Sequence, residues 1–335
     1  MVDFNIAGDD PFTNIPVPAY AVTPVGAKPI IVVVSPNLIG YTGINEGTDI
    51  NTFTLSLFLQ GVLGRNRDLF GPQGEFPITT LIPEPLSGAY NTMEFSVPNS
   101  SQFHGSQDQD NCNGSTVYRN PLELQSTDSV LYAFRKRVVG TTEMIRELGS
   151  ATLSGTLGYF FWSSAIAAKF YTTGSGTNAK YLTVNGVDPL QDRYTDGVLP
   201  GVDSAHPFSN VTFKWLNMGD YPIWSVMRFV SNTPTPSGVT NLVAAAEALN
   251  LTQHNFIPMS SLNVWHSYFF LPAINQGIQA NGTTINPATP GDLCNAPGAL
   301  PEFGGDAGGA TVLKQNNANF CSDFGNQNGL VNRTN

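Results

Sequence analysis

The run Pro29-Ile30-Ile31-Val32-Val33-Val34-Ser35 sets the tightest constraint on the fold. Its interior is apolar and β-branched and does not alternate, which is the pattern of a strand buried on both faces. Downstream, Asn51 to Leu63 carries Phe53, Leu55, Phe58, Leu59 and Val62 close to helical spacing. A second strand is expected over Phe76 to Ile82, followed by the small-residue stretch Pro83-Glu84-Pro85-Leu86-Ser87-Gly88-Ala89-Tyr90 and a helix over Asn91 to Val97. Strand, small-residue turn, helix is the order of an α/β unit.

The same alternation continues. Thr141 to Leu148 suits a short helix, and Gly158 to Trp162 and Lys180 to Val184 read as strands, the latter closed by the turn signal Asn185-Gly186. By composition Tyr221 to Val230 and Leu242 to Leu249 are helical. From Gly282 onward the chain is rich in Gly, Asn and Pro and reads as loop, with one helix around Asn316 to Phe324. There is no internal repeat.

Composition narrows the class. With 41% apolar residues, 21 Phe and 11 Tyr in 335 residues, the chain has the aromatic surface that disordered chains lack. Only 12% of residues are charged, about half the usual quarter. Asn, Thr, Ser and Gln must therefore supply the polar surface, which suits an extracytoplasmic, periplasmic or secreted protein. The net charge of −10 argues against a nucleic-acid partner, because phosphate neutralisation needs clustered Lys and Arg. The densest basic cluster, Arg135-Lys136-Arg137, is expected to be a solvated face. No span reaches the roughly 18 apolar residues of a membrane helix, and no signal peptide is visible.

No catalytic set assembles, so no enzyme and no cofactor is expected. No Ser lies in a Gly-x-Ser-x-Gly elbow, and His104, His206, His254 and His266 lack metal-ligand spacing. They read as surface or hydrogen-bonded structural histidines. Asp108 and Asp110 look like half a calcium loop but lack its Gly and terminal Glu, and read as a solvated loop. The three cysteines form no CxxC pair; Cys294 and Cys321 are the candidates for a disulfide within the tail, leaving Cys112 as the odd thiol. Two turns are candidates for binding. Leu86-Ser87-Gly88-Ala89 precedes a helix, whose free N–H groups and Ser87 hydroxyl suit an oxyanion. Gly8-Asp9-Asp10-Pro11 presents a carboxylate at a loop tip.

In their order along the chain these segments resemble the phosphate-binding proteins that serve ABC importers, in the divergent bacterial substrate-binding-domain branch. Val2-Asp3-Phe4 through Gly8-Asp9-Asp10-Pro11-Phe12 resembles that family's Asp-Phe-Gly-x-x-Asp-x-Pro-Leu strand and turn. Val25-Gly26-Ala27-Lys28-Pro29 to Val34 is similar to the crossover strand into the second domain, and Phe53 to Arg67 to the helix after it. Ile78 to Ala89 resembles the strand leading to the second anion loop, Arg-x-x-x-Ser-Gly-Thr. Leu157-Gly158-Tyr159, Asn185-Gly186-Val187-Asp188-Pro189 and Tyr221-Pro222-Ile223-Trp224 are similar to later family segments. The resemblance covers most of residues 2 to 270.

The resemblance implies a two-lobed α/β fold of the type II periplasmic-binding-protein kind, N-terminally truncated. It implies residues 1–27 plus 195–335, with the tail 282–335, as a first discontinuous lobe, and 28–194 as the second. It implies an oxyanion site in which Asp9, Ser87 and Gly88 face one cleft, with Asp9 accepting the proton of hydrogen phosphate, and an ABC permease as partner. Three departures lower the expected affinity. Pro83 stands where the family has Arg, removing a bidentate clamp. Ala89 replaces the usual Thr. The family's first strand, helix and anion loop have no counterpart. Phosphate binding is therefore expected to be weak or absent. An alternative is a non-catalytic extracellular structural subunit that self-associates through an open sheet edge.

Overall fold

The computed structural model describes residues 8–9, 16–17, 21–35, 49–64, 78–84, 87–98, 107, 134–149, 155–172, 179–193, 196–231, 237–266, 277–278, 284–285 and 311–313. In chain order the elements are β1 (Gly8–Asp9), β2 (Pro16–Val17), β3 (Ala21–Val34), β4 (Asp49–Ile50), α1 (Thr52–Leu59), β5 (Thr79–Pro83), α2 (Gly88–Ser96) and β6 (Phe134–Val138). There follow α3 (Gly140–Leu148), β7 (Thr156–Phe161), α4 (Ser164–Thr172), β8 (Lys180–Tyr181), β9 (Thr183–Val184), α5 (Lys214–Met218) and β10 (Trp224–Ser231). The last are α6 (Ser237–Gln253), β11 (Ile257–Pro258), β12 (Val264–His266), β13 (Gly277–Ile278), β14 (Thr284–Ile285) and β15 (Thr311–Leu313). The α/β class expected from the sequence is the class observed.

β3 organises the main sheet because it changes partners along its length. From Ala21 to Pro29 it pairs antiparallel with β10, and β11 pairs with Gly26 and Ala27. From Ile30 to Val34 it pairs antiparallel with β7, with β8 against Val33 and Val34. β5 then lies between β7 and β6 and runs parallel to both. The two prolines of β3 fall where the ladder tolerates a missing donor. Pro24, paired with Arg228, sits at the register shift between Met227 and Arg228, and Pro29 at the changeover, where its carbonyl accepts the Trp162 N–H at 2.9 Å. Ile30 to Val33 are fully buried and Val34 is 1% exposed, so the run is covered on both faces as its pattern requires.

Helices cover both faces of the sheet. An added Cβ at Gly158 would meet Met144, Leu148 and Leu81, so α3 lies on the face that Gly158 and Leu81 share. The neighbouring Tyr159 points to the opposite face, where its hydroxyl meets Gln107, which in turn bonds the α2 residues Tyr90 and Glu94. Thus α2 and α3 cover opposite faces of one sheet. Local chemistry sets several of these ends. Asn51 caps α1 by accepting the Thr54 N–H at 2.7 Å. Asn185 and Gly186 both take positive φ, 55° and 75°, as the Asn-Gly turn signal predicts.

Two expectations are corrected. Residues 221–230 are not helical: Trp224–Ser231 is β10, held by eight register pairs to β3. Its period-2 burial, with Trp224 and Val226 inside and Ser225 and Met227 half-buried, is the signal that residue composition hid. Nor is Arg135-Lys136-Arg137 a solvated face. It lies in β6, where alternation places Arg135 and Arg137 at 6% and 9% exposure on the α2 side and turns Lys136 toward α3, with its ammonium 2.7 Å from Glu147. Cys112, Cys294, Cys321, Asp108, Asp110, His104 and the helix expected at 316–324 lie outside the described residues.

Candidate binding crevice

β5 and β6 are parallel neighbours that end together, Pro83 opposite Val138. The chain leaves β5 into α2 and passes to β6 on one side, then leaves β6 into α3 and returns to β7 on the other side of β5. Strand order therefore reverses here, and the two helices depart to opposite faces. Such a reversal opens a crevice at the carboxyl ends of the strands, where ligands of open α/β sheets sit.

The α2 wall is built from Glu84 to Tyr90. The Ser87 N–H donates to the Glu84 carbonyl at 2.9 Å, closing a turn that delivers Ser87 to the helix N-cap. The Ser87 hydroxyl accepts the Tyr90 N–H at 3.5 Å, the outer limit of a hydrogen bond, so this cap is loosely held. Gly88 and Ala89 begin the helix, and first-turn N–H groups have no acceptor inside their own helix. Ser87, Gly88 and Ala89 are all partly exposed.

The α3 wall is already occupied. Its Val139 N–H donates to the Glu143 carboxylate at 2.6 Å, and its Gly140 N–H to the Glu84 carboxylate at 2.9 Å. Glu143 reaches back to the N-cap N–H of its own helix, and Glu84 crosses from the neighbouring strand end. Both satisfy the positive end of the α3 dipole with negative charge from the chain itself. Positive charge comes from Arg137 on β6. Its guanidinium donates to the Pro83 carbonyl at 2.7 Å and lies 5.4 Å from the centre of the Tyr90 ring. Beneath it a buried polar network joins Gln107 to Glu94 at 2.9 Å, to Tyr159, and to Arg135, whose guanidinium donates to the Gln107 carbonyl at 2.8 Å. Burial pushes the Tyr159 phenol well above its ordinary range, so it serves this network as a neutral hydroxyl.

Of the expected site residues, Ser87 is the N-cap of α2 and Gly88 its first residue. Asp9 lies in β1, paired with Pro16 of β2. Sequence reasoning missed Glu84, Arg137, Glu143 and Gly140. The spacing from Val139 to Glu143 at a helix start was the available signal for one of them; Glu84 and Arg137 meet their partners only through the strand pairing.

Among the described residues no group of three or more His, Cys, Asp or Glu is arranged to hold a metal ion, and no helix is long and apolar enough to cross a membrane. Comparison with protein-family models and with curated proteins finds no match. Solved structures do resemble the chain. PstS from Borrelia burgdorferi is 15% identical over 71% of this chain and 72% of its own, with a TM-score of 0.37. An ABC-type phosphate transport receptor from Vibrio cholerae is 12% identical over 71% and 72%, with a TM-score of 0.38. A phosphate binding protein from Stenotrophomonas maltophilia is 14% identical over 73% and 68%, with a TM-score of 0.41.

Proposed function

We propose that the chain is a non-catalytic extracytoplasmic solute-binding protein for phosphate or a related oxyanion, with a weakened site and an ABC permease as its partner. The observation that carries this reading is the strand-order reversal at the ends of β5 and β6, where the α2 N-terminus starts and Arg137 donates to the Pro83 carbonyl. There the N–H groups of Gly88 and Ala89 and the Ser87 hydroxyl donate to the anion, and Asp9 accepts the proton of hydrogen phosphate. Glu84 and Glu143 oppose the anion and set the affinity low. In this reading residues 1–27 and 195–335 form one lobe and 28–194 the other; the change of partners along β3 at Pro29 supports that division.

Calorimetry of the full chain with phosphate tests the proposal, together with amide NMR shifts at Gly88 and Ala89. Binding weaker than micromolar, with shifts centred on those amides and lost in Arg137→Gln, supports it. No shift at millimolar phosphate overturns it.

A self-associating structural subunit is the second reading, and one observation favours it. The 17-residue helix α6 has no buried residue, carries Glu247 as its one charge, and leaves Leu242 and Leu249, seven positions apart on one face, 54% and 59% exposed. In this reading a second copy of the chain covers that face. A concentration-dependent mass that reverts to monomer in Leu242→Glu/Leu249→Glu supports it, and a monomer at all concentrations removes it.

A further inference from the structure

His206 lies outside the crevice, and both of its ring nitrogens face carboxylates. Nδ1 is 2.8 Å from Asp203 and Nε2 is 2.9 Å from Asp196. A neutral imidazole has one N–H and can donate to one carboxylate only, leaving a lone pair against the other. Satisfying both contacts requires the imidazolium. The contacts close a defined loop. Asp196 also accepts the Val198 N–H, and Asp203 accepts the N–H groups of Ala205 and His206 itself. The loop bonds back to β8 through the Tyr181 N–H on the Gly197 carbonyl, and it buries Leu199 completely. Past His206, Phe208 packs edge-on against Trp162, whose indole N–H donates to the His254 carbonyl at the turn after α6.

We propose that His206 is a proton-operated clamp: as imidazolium it ties Asp196 to Asp203 and holds the 196–206 loop against β8, and loss of its proton releases one of the two ties. Among the described residues the charged groups acting on this cluster are Asp196, Asp203 and, through Asp196, Lys180 of β8. The energetics run in the required direction. Partial burial lowers the His206 pKa, but the hydrogen bonds and charges of the two aspartates outweigh it and the net direction is upward. Asp196 is pushed up by burial and down by its bonds from Val198 and His206, with a net lowering, and Asp203 is lowered chiefly by His206. The stabilisation from His206 is therefore full below its ordinary 6.5 and is lost as pH rises through its folded value. That from the aspartates is present above 3.8 and is lost as pH falls through theirs. The clamp is closed between these limits and opens on the alkaline side.

The test is imidazole NMR titration of the full chain, with the His206 resonance assigned through His206→Gln. Amide hydrogen exchange over residues 197–206 is then compared at pH 5.5 and 8 after correction for intrinsic rates. The expected result is a His206 midpoint above 6.5 and a several-fold loss of protection at pH 8, confined to that loop. His206→Gln should abolish the pH dependence, and Asp196→Asn should lower the His206 midpoint. A midpoint at or below 6.5, or protection that does not change with pH in the natural sequence, overturns the proposal. The same holds if His206→Gln retains the change. If His206→Gln does not fold, the titration of the natural sequence and of Asp196→Asn still decides it.

Discussion

The Glu84 carboxylate accepts the Gly140 N–H at 2.9 Å across 56 positions of sequence, joining the end of β5 to the start of α3. One side chain thereby satisfies an N–H at the start of α3 that has no acceptor within its own helix. Its backbone carbonyl meanwhile receives the Ser87 N–H that sets the opposite wall.

Replacing Glu84 separates these two roles. Glu84→Gln keeps an acceptor for Gly140 but removes the charge, so it should cost only about 0.5 kcal/mol of stability, within the range of charge–dipole effects at helix ends. On the proposed oxyanion-binding reading, phosphate affinity should rise several-fold, because a negative charge beside the α2 N-terminus is gone. Glu84→Ala also leaves the Gly140 N–H without its cap and should cost about 1 kcal/mol. Urea unfolding and phosphate calorimetry on the two variants check this, and unchanged affinity in both would remove Glu84 from the account of the weak site.

Asp188 predicts a pH dependence of opposite sign to that of an ordinary paired carboxylate. Burial raises its pKa to about 6, against the lowering effect of the N–H groups of Gln191 and Leu190 and the hydroxyl of Tyr181. The folded state thus holds a proton that the unfolded state has released. Its contribution to stability is full below the ordinary value of 3.8 and is lost as pH rises from there through about 6. Asp188→Asn should flatten this part of the stability profile, a difference on the order of 2 to 3 kcal/mol between pH 4 and pH 7. Chemical denaturation of both proteins at those pH values measures it. Parallel profiles would mean that Asp188 is not buried as described.

The buried sheet strand was legible because its cause is local: Ile30 to Val34 can be satisfied only by cover on both faces, and the sequence states this within five residues. The Asn185-Gly186 turn was legible for the same reason, since both positions require positive φ. β10 was not, because its extended form is imposed by pairing with β3, some two hundred positions away. Arg135 and Arg137 were misread because their partners, Gln107 and the carbonyl of Pro83, become neighbours only through sheet assembly. The crevice itself depends on strand order, which no window of sequence contains. Ser87 and Gly88 were found through helix-cap chemistry, whereas Glu84 was passed over as one residue of a Pro-flanked turn.

Gly26 is a packing requirement. A Cβ there would lie 2.4 Å from the Ile257 carbonyl oxygen, which is backbone and cannot swing away, and 2.4 Å from the Phe256 ring. Gly26→Ala should therefore destabilise by about 2 to 3 kcal/mol through overpacking where β11 meets β3. Gly238 in α6 has open space around its Cα and no positive φ, so Gly238→Ala should be neutral or stabilise by up to about 1 kcal/mol. Thermal unfolding of the pair gives opposite signs if the β11 contact is as close as the geometry requires.

The tail returns to the fold through β15, which pairs antiparallel with β12 in the register Val264–Leu313, Trp265–Val312 and His266–Thr311. β12 is itself anchored: the Asn263 N–H donates to the Asn217 side chain of α5 at 2.7 Å, and Asn217 donates to the Ser261 carbonyl at 3.0 Å. Val264 is fully buried. Ending the chain at residue 282 deletes β15 and leaves the β12 edge unpaired beside an apolar side chain. Each backbone group orphaned there costs on the order of 1 to 3 kcal/mol if it stays buried, and an open edge recruits strands from other molecules. The truncated protein should therefore lose stability and aggregate, whereas a chain ending at residue 320 keeps the pairing and should behave as the full protein does under reducing conditions. We propose that a Cys294–Cys321 disulfide stiffens the tail; in that case Cys321→Ser in the full chain should lower the unfolding temperature under oxidising conditions and have no effect under reducing ones. Light scattering and thermal unfolding of the two truncations read the outcome. A stable monomer after truncation at 282 would show that β15 contributes nothing to the fold, and aggregation of the chain ending at 320 would place the decisive contacts beyond β15.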